Sequence, residues 1–70
     1  MSSTQTHVSK LRAVARKIVA LLARQPNLRQ TEIASALGEY DSTVMRALPI
    51  VESMGVRLSE DDKGRMSVAE

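Results

Sequence analysis

The residues best suited to chemistry in this chain are Ser42, Thr43, Met45 and Arg46, which follow a break at Gly38. A guanidinium is a rigid fork of donors that fits a guanine edge or a phosphate. Hydroxyls and backbone N–H groups at a helix start hold phosphate, or simply cap the helix. Gln30 and Thr31 open an earlier segment with the same double potential. Tyr40 is the single aromatic, suited either to packing or to a sugar or thymine methyl. Met45 could touch a base methyl or line an interface. Lys63 and Arg65 flank Gly64 in a polar stretch near the end. These side chains bind; none of them is a nucleophile poised beside a base.

The rest of the composition points away from catalysis. There is no cysteine, so disulfides, thiol nucleophiles and thiolate metal sites are excluded. The one histidine, His7, lies in a Ser/Thr/Gln-rich opening, and a zinc site would rest almost wholly on carboxylates. Asp61-Asp62 reads as a solvated turn pair. The expectation is a protein that is not an enzyme, with no metal, no cofactor and no small-molecule substrate. No apolar run approaches the ~18 residues that span a bilayer, so neither a membrane span nor a signal peptide is expected, and the location is read as cytoplasmic.

Charge is segregated along the chain. Residues 1–30 carry Lys10, Arg12, Arg16, Lys17, Arg24 and Arg29 with no acid, while residues 31–70 carry four bases against eight acids. An oriented field of this kind suits a polyanion, although a run of charge can also be a solvated helix face.

The elements that must position these groups follow from periodicity. Residues 1–8 lack an apolar period and read as a disordered tail, leaving residues 9–70 as one domain. From Ser9 to Gln25, Leu11, Val14, Ala15, Ile18, Leu21 and Leu22 form a helical stripe, flanked on both sides by the basic residues. Ala13, Val19, Ala20 and Ala23 fall on its outer side and could form a seam with a second copy. Pro26-Asn27 stops this helix. A second helix fits Gln30–Leu37, with Ile33, Ala34 and Leu37 inward and Gly38 closing it. A third starts at Asp41 or Ser42, both good caps, and runs towards Met54. Its inward residues are Val44, Ala47 or Leu48, Val51 and Met54, with a kink expected at Pro49. Val56–Ser59 and Met66–Val68 alternate around Glu60–Arg65 and predict a hairpin, with Val56, Leu58, Met66 and Val68 on one face.

The segment from Gln30 to Leu48 carries the functional signal. Two helices that cross closely need a small residue at the crossing, which is Ala34. The tight turn between them needs a glycine four residues later, which is Gly38. Ile33, Leu37, Val44 and Leu48 are spaced to lock one helix on the other.

This stretch resembles the helix-turn-helix of bacterial transcription regulators, whose pattern E-I-A-x-x-L-G-V-S-x-S-T-V-x-R-x-L aligns without a gap. Glu32, Ile33, Ala34, Leu37, Gly38, Ser42, Thr43, Val44, Arg46 and Leu48 match. With the flanking helix, the VESMGV run and the hairpin, residues 9–69 look like IclR-, MarR- and ArsR-like winged helix-turn-helix domains. The pattern's valine and capping serine are Glu39 and Tyr40 here, and Tyr40 is expected to cover the core that the valine would fill. Glu39, Asp41 and Glu52 make this region less basic than a typical DNA-reading face.

The resemblance implies a mainly α fold with a small β-hairpin, three helices plus a wing. It also implies sequence-specific binding of double-stranded DNA by a small regulator, a repressor that works by occupying its site. In that reading helix three enters the major groove through Tyr40, Ser42, Thr43, Met45 and Arg46. Gln30 and Thr31 touch phosphate, Lys63 and Arg65 reach from the wing, and the basic first helix steadies the backbone. A homodimer is compatible with it. The competing expectation is a winged-helix interaction module that docks a protein partner through its acidic helix-three and wing face.

Overall fold

The computed structural model describes the backbone of residues 3–69 and the side chains of residues 10–69. Helix α1 runs Ser3–Arg24 and buries Leu11, Val14, Ala15, Ile18 and Leu22 along one stripe. It begins before the Ser9 cap anticipated from the sequence, because residues 3–8 hold neither proline nor glycine to interrupt a helix. The stretch read as a disordered tail is thus helical backbone from Ser3 to Val8, while Met1, Ser2 and the side chain of His7 lie outside the described residues. Val19, assigned to the outer side, is instead half-buried against the core. It sits at the edge of the stripe, where its bulk reaches neighbours that an alanine would miss.

Past Pro26, Asn27 adopts a left-handed φ of 66° and turns the chain into a strand that periodicity does not reveal. Strand β1, Leu28–Arg29, leads directly into helix α2, Gln30–Leu37. Two residues are too few to show alternation. Pairing alone makes them a strand, with Leu28 opposite Met66 and Arg29 opposite Arg65.

Helix α2 buries Ile33 and Ala34 and ends at Gly38, whose φ is 68°. The Gly38 N–H donates to the Ser35 carbonyl at 3.3 Å and the Glu39 N–H to the Ala34 carbonyl at 2.9 Å. This paired closure satisfies two end carbonyls and needs a residue without a Cβ penalty at positive φ. The glycine assigned to this turn from the sequence therefore does what the turn demands.

Helix α3 runs Asp41–Ser53 and buries Val44, Ala47 and Val51, while Leu48 is half-buried. Its cap is Tyr40, not Asp41 or Ser42 as expected. Tyr40 is extended, and its carbonyl accepts the N–H groups of Thr43 at 3.0 Å and Val44 at 3.1 Å. The cap works through the backbone alone, which moves Asp41 into the first helical turn. The helix continues through Pro49 and does not end at Leu48. Proline removes the bond that the Met45 carbonyl would accept, and both residues are exposed, so that carbonyl opens towards water. Met54 was expected inside but is 44% exposed, because α3 stops at Ser53 and Gly55 turns the chain away.

Strands β2, Arg57–Glu60, and β3, Arg65–Ala69, form the hairpin, with Leu58 opposite Val68 and Ser59 opposite Ser67. The sheet order is β1-β3-β2 and both pairings are antiparallel. Met66 on the central strand is buried, and Val56, Leu58 and Val68 pack beside it against the core. The core is aliphatic, lies chiefly between α1 and α3, and contains no buried polar residue among the described ones. Helix, helix, helix and hairpin, with a short extra strand, make a mainly α winged helix-turn-helix. No helix among the described residues is long and apolar enough to cross a membrane.

Candidate nucleic-acid interface

Burying Val44, Ala47 and Val51 forces the other arc of α3 outward. That arc holds Ser42, Met45, Arg46 and Pro49, all exposed, so three of the anticipated contact residues share one face. None of Ser42, Met45 or Arg46 makes a side-chain hydrogen bond or ion pair among the described residues. The Arg46 guanidinium is therefore available to an external acceptor. Thr43 is half-buried at the margin of this face.

Tyr40 stands at the head of the same helix. It was expected to cover the core, but it is 81% exposed. Its extended backbone, set by its role as cap, swings the ring outward, and the aliphatic core closes without it. Met45, next to Arg46 in the chain, is 56% exposed, so both ends of the first half of α3 carry exposed apolar surface.

Gln30 is drawn to the start of α3 by a long contact, its Nε2 donating to the Asp41 carbonyl at 3.4 Å. Thr31 is exposed beside it. Neither residue caps α2. The cap is Arg29, whose N–H donates to the Glu32 Oε1 at 2.8 Å. Arg29 is an exposed cation that the sequence placed only in the basic first stretch and not at the site, since its place next to the sheet depends on β1. The signal that could have found it is Glu32, at the spacing from which a carboxylate reaches back to a helix cap.

Lys63 lies on the turn between β2 and β3, and Arg65 opens β3 directly opposite Arg29. Asp61 organises that turn. Its Oδ1 accepts the N–H groups of Lys63 and Arg65, each at 2.9 Å, and its Oδ2 accepts Arg65 Nε at 2.8 Å. These donors hold its carboxyl below the ordinary value of 3.8, chiefly through the Arg65 backbone N–H, with partial desolvation opposing them. Arg65 is thereby compensated within the fold, and Lys63 is the less committed cation of the pair. Glu60 and Asp62 add negative charge around both.

Two acids also border the α3 face, Asp41 in its first turn and Glu52 near its end, both exposed. The strongest positive surface is elsewhere, on the outer arc of α1. Among the described residues no cluster of histidine and carboxylate side chains could hold a metal ion. No protein-family model, curated protein or solved structure matches the chain.

Proposed function

We propose that the protein binds double-stranded DNA through the exposed face of α3, as a small transcription regulator that represses by occupying its site. The observation that carries this reading is the availability of Arg46, exposed beside Ser42 and Met45 with no partner among the described residues. An α-helix fits the major groove, which is about 12 Å wide. In that pose Arg46 forks onto a guanine edge, Ser42 and Thr43 reach base or phosphate, and Met45 or Tyr40 meets a thymine methyl. Gln30 and Thr31, at the start of α2, take phosphate, and Lys63 extends the contact from the wing. DNA as the partner carries a cytoplasmic location with it.

A second reading is favoured by one feature of the same face. Tyr40 and Met45 are exposed apolar side chains bordered by Asp41 and Glu52, a composition that also suits a protein partner. A salt titration separates the two readings. Each phosphate neutralised lowers the slope of log K against log salt by about 0.9, so duplex binding must weaken steeply as salt rises. Absence of duplex binding at ~50 mM salt would leave protein docking as the better account. Selection of bound sequences from random duplexes then tests specificity and reveals any two-fold symmetry in the site.

A further inference from the structure

Lys10, Arg12, Arg16, Lys17 and Arg24 are all exposed on α1, and the stretch from Lys10 to Arg24 contains no acid. None of the five enters an ion pair among the described residues. At about 100° per residue they form two edges, Arg12 and Arg16 on one side, Lys10, Lys17 and Arg24 on the other. Ala13 and Ala20, both exposed, lie between the edges as a strip of small residues flanked by cations.

The position of this face matters as much as its charge. Helices α1 and α3 pack on each other through Val14, Ile18 and Leu22 on one side and Val44, Ala47 and Val51 on the other. Their exposed arcs therefore look away from each other across the core. The molecule measures 41 × 24 × 20 Å. Duplex DNA is stiff, with a persistence length of about 500 Å, so one duplex seated on α3 cannot fold round to the outer arc of α1. The basic first helix cannot steady the backbone of the duplex that Arg46 reads.

We infer that the outer face of α1 is a second polyanion site that takes the phosphate backbone of a second duplex, so that one chain bridges two DNA segments. The inference rests on the DNA-binding reading of α3. From Lys10 to Arg24 the helix rises about 21 Å. Over that length one DNA strand presents about six phosphates, comparable with the five cations available. The body of the protein holds the two duplexes apart by roughly twice the Debye length of about 10 Å at 0.1 M salt, so their mutual repulsion is screened. Contacts of this kind carry no base sequence, so the α1 site is blind to sequence while α3 reads it.

The test is the stoichiometry of complexes with excess short duplex, measured by light scattering in low salt on the full chain. The wild type is expected to bind two duplexes per chain. A variant with K10Q, R12Q, R16Q, K17Q and R24Q is expected to bind one, its helix content confirmed by circular dichroism. Glutamine has nearly the helix propensity of lysine and arginine, and the two edges can be neutralised separately if the full variant fails to fold. In variants with one edge neutralised, the salt slope of the weaker binding step should flatten by about 0.9 for each charge removed. Saturation of the wild type at one duplex, or two duplexes still held by the α1 variant, overturns the inference and leaves α3 as a DNA reader. Capture of polyglutamate by the α1 face without a second duplex overturns it in favour of an acidic protein partner. Failure to bind any duplex removes the α3 reading and this inference together.

Discussion

Arg65 sits opposite Arg29 across the β1–β3 pairing, and Asp61 on the neighbouring turn lies 2.8 Å from the Arg65 Nε. Like charges placed directly across a ladder repel, and the Asp61 carboxylate offsets that repulsion while it shapes the wing. The same contact neutralises much of the Arg65 charge and engages its Nε, which weakens its pull on an external anion. A residue that looks from its sequence like a free wing cation is thus part of the fold.

Asp61→Ala should loosen the turn and release Arg65. Amide hydrogen exchange at Lys63 and Arg65 is expected to accelerate, with the helices unaffected. Because the Asp61 carboxyl is held below its ordinary value in the folded state, its stabilising effect is present above pH 3.8 and fades as pH falls through the lowered value. Wing-tip exchange should therefore rise selectively in acid. Protection that persists in the variant at neutral pH would show that Asp61 does not organise the turn.

Arg46→Ala should leave stability within about 0.5 kcal/mol of wild type, since the side chain has no partner among the described residues. If α3 reads DNA as proposed, the cost of the substitution should fall on the duplex, by about 1–3 kcal/mol at the preferred site, equivalent to roughly 5- to 150-fold in affinity. Equal affinities of variant and wild type would place the reading surface elsewhere.

Gly38→Ala meets no steric obstacle, because a Cβ there finds nothing within 4 Å. The positive φ alone should cost about 1–2 kcal/mol. Gly38→Asn should cost less, since asparagine visits that region more readily. Urea unfolding of the two variants checks both the size and the order.

Pro49→Ala restores a donor to the Met45 carbonyl inside α3. Relieving an interior proline gains about 3 kcal/mol, and the freer unfolded chain returns about 1, so a net stabilisation of about 2 kcal/mol is expected. A thermal midpoint that does not rise would mean that the proline is already accommodated at no cost.

Ile18→Ala removes one of the largest fully buried side chains and should destabilise by about 2–5 kcal/mol. In so small a domain that is a large share of the total, and the variant is expected to be partly unfolded at room temperature by circular dichroism.

The local features were legible in the residues themselves. The helical stripe of α1, the Ala34–Gly38 turn and the alternation around Glu60–Arg65 are each set by neighbours a few positions apart, through backbone sterics and the period of the apolar side chains. Of the site, the exposure of Ser42, Met45 and Arg46 on one face followed from the burial period of α3. What the sequence could not contain is any feature made by segments remote along the chain. Leu28–Arg29 becomes a strand only because Met66 and Arg65 come to lie beside it. Tyr40 turns outward because its backbone caps α3 and the aliphatic core is complete without it. The basic arc of α1 faces away from Arg46 because the two helices spend their apolar faces on each other. Propensity and periodicity act along the chain, whereas pairing and burial are decided by whichever surfaces meet once it has folded.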